Sequence, residues 1–259
     1  MTTPVPVPRS PDEAERLAVR RRPSARAVMF QQWRELLFLH WEYPVAEIQR
    51  TLPDGLFVDT FVGKGYLGVV PFFMQNIRPQ FLPAVPGISN FMEMNLRTYV
   101  HDRAGVPGVW FYSLDANQRL AVAIARRLFH LPYEYATMHS RRTANGAIHY
   151  QSKRGAGEAD HAGCVFEYAA GAELPTVSPA SLEFFLVERY RLYAADDRLW
   201  RGAVFHPPYP LCRAELTEWN EHLLSLNGFT PTGRPPDHVI MSRGVDVSVF
   251  PLERVRIEA

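Results

Sequence analysis

The stretch FMEMNLRTYV, Phe91 to Val100, sorts its side chains by chemistry. Alternate residues of an extended chain face opposite ways, so Glu93, Asn95, Arg97 and Tyr99 share one face and Met92, Met94, Leu96 and Val100 the other. The apolar face packs. On an open sheet the polar ladder is wetted surface. On a closed sheet it lines a ligand cavity, with Asn95 and Arg97 as binding groups and Glu93 as a desolvated carboxylate of the kind tuned upward for acid or base work.

Downstream, SLDANQRLAVAIARRLFHLPYEYA has the layout of an active-site segment. A strand ends in Ser113-Leu114-Asp115, a helix over 118–130 carries Arg126 and Arg127, and a Leu131-Pro132 stop delivers Tyr133 and Glu134 into the next strand. Leu120, Ile124 and Leu128, at i, i+4 and i+8, read as the buried stripe of that helix. Solvation is the ordinary reading for Arg119 and Arg127, whereas Arg126, if fixed near a cavity, would grip a carboxylate with two parallel hydrogen bonds. His206 ends an apolar strand before the rigid corner Pro207-Pro208-Tyr209-Pro210. It is a candidate ligand-binding group at a cavity mouth, with a satisfied structural histidine as the alternative.

Several chemistries lose their usual signals. The nine histidines never fall into HxH, HExxH or a Cys/His cluster, and Cys164 and Cys212 stand far apart, so no metal or disulfide framework is expected. GxSxG, GxxxxGK and a strand-linked GxGxxG are absent, and no cofactor is expected. Lysine occurs only at Lys64 and Lys153, which limits amine chemistry.

The elements that must position these residues are mostly strands. Apolar runs recur between turn signals from Arg34 onward, with no βαβ rhythm, and this pattern predicts a mainly β (α+β) fold, a large closed antiparallel barrel with a few short helices. Gly63-Lys64-Gly65 suits a hairpin turn between strands at 56–61 and 66–77. Residues 1–24, with early prolines and Arg20-Arg21-Arg22, read as a disordered arm with one helical turn near 11–19, and 25–259 as a single domain. With 259 residues, 47% of them apolar, a large core is supplied, and a net charge of +1 gives no footprint for nucleic acid or membrane. The N-terminus has no apolar core of the signal-peptide kind, and a cytoplasmic location is expected.

WRELLFLHWEYPVAEIQRTLPDGLFVD, GYLGVVPFFMQNIRP, FMEMNLRTYV and ERYRLYAADDRLWRGAVFHPPYPL, in that order, resemble the DUF2071 (YqjF-like) proteins across about residues 30 to 255. That group is similar to the acetoacetate decarboxylase-like superfamily, and the resemblance implies a cone-shaped closed barrel around a small-molecule cavity. The decarboxylase pattern A-V-G-R-E-L followed by x-x-Y-P-K-K overlays Ala123 to Glu134 without a gap. Tyr133 then falls where that family's imine-forming lysine would be, and Glu134 at its second lysine; Glu93 and Arg126 match the retained glutamate and helix arginine. A phenol forms no imine, and a carboxylate beside it does not depress an amine's pKa.

Three readings follow. The first is a lysine-independent enzyme on a small carbonyl or carboxylate compound, with Glu93 as acid or base, Arg126 on the carboxylate, and Tyr133 or His206 donating to an oxyanion. The second is a non-catalytic binding protein for an aromatic or acyl ligand. The third is an assembly role, as a homo-oligomer or scaffold, through the 78–90 loop and the arginine-rich arm.

Overall fold

Runs of Val, Ile, Phe, Tyr and Leu become strands in this chain because branched and aromatic side chains fit a pleated surface that is packed on both sides. The computed structural model describes residues 8–155 and 163–255, the side chain of Leu128 excepted. Its elements in chain order are α1 (Glu13–Ala18), β1 (Met29–Tyr43), α2 (Val45–Gln49), β2 (Leu56–Val58), β3 (Gly65–Pro79), β4 (Phe91–Asp102), β5 (Pro107–Ala116), α3 (Arg119–Phe129) and β6 (Tyr133–Arg142). There follow β7 (Ile148–Arg154), β8 (Cys164–Glu173), α4 (Leu182–Val187), β9 (Arg191–Ala195), β10 (Leu199–Phe205), β11 (Leu211–Glu218), α5 (His222–Leu226), β12 (His238–Val249) and β13 (Glu253–Arg254).

The strands form one sheet whose pairings close it twice. One ring runs through β1, β3, β4, β5, β6, β7, β8, β11 and β12. A second leaves β5 through β9 and β10 and returns to β12, so β12, β1, β3, β4 and β5 are a wall common to both. The first ring encloses Leu37, Leu39, Trp41, Met94, Tyr150 and Phe166; the second encloses Phe38, Phe72, Tyr99, Phe185, Val245 and Val247. Every residue of β4 from Met92 to Asp102 is therefore buried, whichever way it points.

The wall forks where its strands are bulged. The free edge of β12 pairs with β11 at Ile240 to Ser242 and with β10 at Ser248 and Val249; that of β5 pairs with β9 at Val109 and Trp110 and with β6 at Leu114 to Ala116. Between these partners lie the irregularities, Glu35 at φ 52° beside Gly244, and Tyr112 between the pairs Leu96↔Ser113 and Arg97↔Phe111. An extra residue twists and bends its strand, which is what a fork requires. A Cβ at Gly244 would stand 2.2 Å from the Trp33 carbonyl oxygen, and φ there is 137°, so only glycine fits.

The closed, mainly β fold with short helices is as the sequence predicts, with four local differences. The β5–β6 and β5–β9 pairings are parallel, so α3 is the crossover of a β–α–β unit. The hairpin at Gly63-Lys64-Gly65 does not join its flanking strands: β2 pairs with β4, and the turn closes on a lone Phe61–Lys64 bridge. On α3, Leu120 and Ile124 are 49% and 42% exposed, while Val122 is buried and Ala125 packs with it against Leu114, Ala116 and Tyr133. The small-residue face fits the close approach to β5 and β6; the stripe predicted from Leu120, Ile124 and Leu128 is thus displaced, the Leu128 side chain lying outside the described set.

Within the arm read as disordered, α1 is capped at both main-chain ends of its first turn. Glu15 N–H donates to Asp12 Oδ1 at 2.9 Å and Asp12 N–H to Glu15 Oε2 at 2.8 Å. Arg16 reaches Asp59, and Arg16, Arg20 and Arg22 lie over the rings of Phe185, Phe184 and Phe205 at 5.2, 5.5 and 5.2 Å. Guanidinium–ring and ion-pair contacts hold to the body a segment whose composition is that of a solvated tail. No helix among the described residues is long and apolar enough to cross a membrane.

Candidate active site

Alternation along β4 aims Glu93, Asn95, Arg97 and Tyr99 at the second ring, and the chain then supplies the partner of Glu93 from α3 and its exit. His130 ends the helix in the left-handed conformation, φ 51°, and Pro132 cannot continue it. Tyr133 therefore starts β6 beside Leu114, in parallel register. Its hydroxyl donates to Glu93 Oε2 at 2.9 Å, with Glu93 2% and Tyr133 9% exposed.

Burial sets the protonation of this pair. It pushes the Glu93 carboxyl up to about 8, against the pull of the Tyr133 hydrogen bond and with help from the charge of Asp115. Burial, then the neighbouring Glu93, pushes the Tyr133 phenol well above its ordinary value. At neutral pH the pair is an undissociated acid and an undissociated phenol. The strand is held from its other side: Tyr150 Oη donates to the Glu93 carbonyl oxygen at 2.8 Å, and Asp115 takes two hydrogen bonds from Arg154 at 2.7 and 2.6 Å. Burial raises the Asp115 carboxyl too, with Arg154 opposing.

Further along the ladder the polar groups outnumber their partners. Arg97 is 8% exposed, donates once, to the Leu186 carbonyl oxygen at 3.1 Å, and lies over the rings of Phe38 and Tyr99 at 5.5 and 5.6 Å. No carboxylate among the described residues pairs with it. Among the described residues, Arg97 Nε, Asn95 Oδ1, Tyr99 Oη and His40 Nε2 are buried without a hydrogen-bond partner. Such atoms cost about 1–3 kcal/mol each when left without a partner.

The two remaining sequence candidates are placed differently. Arg126 is half exposed; its Nε donates to the Tyr133 carbonyl oxygen and its Nη2 pairs with Glu134 at 2.8 Å. It clamps the start of β6 from outside and does not join the buried face, because helix α3 turns its Val122 side inward. Arg126→Ala is expected to cost less than about 1 kcal/mol in stability, as for other solvated ion pairs, and to leave ligand affinity unchanged by calorimetry. His206 is buried, and only an Nδ1–H can serve the Pro207 carbonyl oxygen 2.8 Å away, so Nε2 is left as an unpartnered acceptor. It stacks on Tyr190 at 4.5 Å and lies 4.6 Å from Tyr209, in the apolar interior of the second ring, with no described contact to Glu93 or Tyr133.

Sequence reasoning missed three neighbours of this face. His40 Nδ1 lies 3.0 Å from His238 Nδ1, and burial holds both well toward the neutral form. Arg189 pairs with Asp59 at 2.8 Å and lies over the Tyr99 ring at 5.0 Å. No local spacing links residues so far apart in the chain; a buried-looking His inside the apolar run of β1 was the only available hint. Outside, a cleft of ≈ 500 Å³ opens at the β5 fork between Trp110, Tyr112, Arg126, His130, Pro132 and Tyr193, one residue from Tyr133. Neither lysine is near: Lys64 pairs with Glu42 at 2.7 Å on an exposed turn, and Lys153 is exposed.

This architecture has known counterparts. An enduracididine biosynthesis enzyme, MppR, in complex with pyruvate is similar over 89% of this chain and 91% of its own, with a TM-score of 0.62 and 13% identity. An acetoacetate decarboxylase from Legionella pneumophila is similar over 91% and 90%, with a TM-score of 0.61 and 13% identity. At that identity they establish the acetoacetate decarboxylase-like fold. In sequence, the uncharacterized protein YqjF of Bacillus subtilis (strain 168) is 37% identical over 230 residues, 88% of this chain and 92% of that protein. The family model DUF2071, an uncharacterized conserved protein, matches residues 30–246, and the chain belongs to that family.

Proposed function

We propose that the protein is a lysine-independent enzyme acting on a small compound that carries a carbonyl and a carboxylate, with Glu93 as the acid–base group. The observation that carries this reading is the buried hydrogen bond from Tyr133 to Glu93, 2.9 Å long, between groups whose proton affinities burial has raised. The fold neighbours named for pyruvate and for acetoacetate suggest the substrate class. Arg97, a buried guanidinium lacking a carboxylate, takes the anchoring role that the sequence reading gave to Arg126. Asn95 and Tyr99 add polar contacts on the same face.

The reaction that suits these groups is proton abstraction beside a carbonyl. Ionised Glu93 accepts the Cα proton, the C–H electron pair moves into the enolate, and the Tyr133 hydroxyl donates its hydrogen bond to the developing oxygen anion. An imine route is not proposed, since Tyr133 occupies the position and both lysines lie outside.

Exchange of the α-protons of pyruvate, acetoacetate and related keto acids into deuterium oxide, followed by NMR, tests this. Exchange is expected to rise with pH up to about 8, where Glu93 ionises, and to fall roughly 10²- to 10⁴-fold in Glu93→Gln. Equal exchange in wild type, Glu93→Gln and Tyr133→Phe sinks the assignment. The dense ring of Phe38, Tyr99 and Phe185 about Arg97 and Arg189 favours one other reading, a binding protein. Stoichiometric, Arg97-dependent retention of a ligand that is never altered would establish that instead.

A further inference from the structure

On the outer side of the first ring, away from Glu93, three strands bring three metal-binding side chains into one row. His149 of β7 is paired across the sheet with Glu167 of β8, and Glu167 with Glu218 of β11. Residues on either side of His149 and Glu167, namely Ile148, Tyr150, Phe166 and Tyr168, point into the ring, so these two point out. We infer that His149, Glu167 and Glu218 form a binding site for a divalent cation of the zinc type.

Three observations carry this. First, His149 Nδ1 lies 3.4 Å from Glu167 Oε2 and 3.6 Å from Glu218 Oε2. Those separations exceed the usual N–H···O range of about 2.7–3.2 Å. They match the edge of a tetrahedron whose metal–ligand bonds are about 2.0–2.2 Å, which is roughly 3.3–3.6 Å. All three ligand atoms fall within 4.8 Å of one another. Second, His149 Nδ1 is buried and makes no hydrogen bond among the described residues, on a side chain only 14% exposed. Third, in a chain with 28 Lys and Arg residues, neither glutamate is paired with an arginine or lysine among the described residues; the ion-pair partner of each is His149.

The donor set and its setting fix the class of ion. One imidazole nitrogen and two carboxylate oxygens suit zinc and its borderline neighbours and offer nothing to a soft cation. Thr217 Oγ1 donates to Glu167 Oε1 at 3.2 Å, which holds that carboxylate with Oε2 turned to the cation. Glu218 is 53% exposed, so a fourth position faces solvent and takes water. Bound there, the ion ties β7, β8 and β11 together in the half of the first ring that the second ring does not share.

Metal-free full-length protein, prepared with a chelator, is titrated with zinc against a chromophoric chelator and with cobalt(II) as a spectroscopic probe. One equivalent per chain is expected, with the strong visible absorption of four-coordinate cobalt. His149→Ala should weaken binding by more than the roughly 100-fold that loss of a supporting partner costs, and the size-matched, half-exposed Glu218→Gln should abolish the cobalt band at an unchanged metal-free melting temperature. Absence of a stoichiometric zinc, or zinc held equally by wild type and both variants, overturns the site.

Discussion

Replacing Asp59 by alanine is expected to destabilise the protein by about 3–5 kcal/mol, the loss typical when one partner of a buried ion pair is removed. Asp59 is fully buried between two arginines, Arg189 from the turn after α4 and Arg16 from α1, whose side chains are 4% and 13% exposed. Arg189 also donates to the Phe185 carbonyl oxygen at 2.6 Å and cannot swing out to water without losing that bond and its place over the Phe185 ring, 4.3 Å away. The alanine variant thus strands charge inside the second ring. It also releases α1, so trypsin should cut after Arg20 and Arg21 faster than in wild type. Urea unfolding and timed proteolysis measure the two effects; a loss below about 1 kcal/mol with unchanged cleavage would show that Asp59 does not organise this end of the ring.

The second large effect depends on pH. The Glu93 carboxyl has a folded-state pKa of about 8, above its unfolded value near 4.5. A raised pKa means that the folded protein holds a proton the unfolded chain gives up, so the stability this group contributes is complete below about 4.5 and is lost as pH rises through about 8. Glu93→Gln keeps an acceptor for the Tyr133 hydroxyl and has no proton to lose. At about 1.4 kcal/mol for each tenfold change in proton affinity, the variant is expected to match wild type near about pH 4 and to exceed it by several kcal/mol at about pH 9. Paired urea titrations at the two pH values read the difference directly. A gap of the same size at both would mean that Glu93 is not held as an acid. Under the proposed function the variant gains stability while losing exchange chemistry, the trade expected of a carboxylate kept at a cost for function.

Much of this was legible in the chain. The strands announce themselves by branched and aromatic runs between turn residues, and the face shared by Glu93, Asn95 and Arg97 follows from alternation alone. The Leu131-Pro132 stop marks where Tyr133 enters β6, and the overlay of Ala123 to Glu134 on a decarboxylase pattern singles out Tyr133, whose hydroxyl the structure places against Glu93. What failed is what depends on docking. Helical periodicity says that Arg119, Arg126 and Leu120 occupy particular sides of α3, but which side meets the sheet is decided by the space above Leu114 and Ala116, where Val122 and Ala125 pack. Hence Arg126 lies outside and Arg97 within. Histidine spacing excludes a linear motif, yet His149, Glu167 and Glu218 meet through strand register, which one sequence does not display.

The wall common to both rings has a consequence for how the protein tolerates change. An ordinary strand alternates a permissive position with a demanding one, since one face meets solvent. Along β4, and over Leu36 to Trp41 of β1 and Gly65 to Phe72 of β3, neither face does. Saturation mutagenesis scored by folded yield should show no two-residue rhythm there, only a continuous band of intolerance, while β7, whose alternate residues reach the surface, keeps its rhythm. Variation that alters function without losing the fold is thereby directed away from the wall, toward β6 to β8 on one side and β9 and β10 on the other.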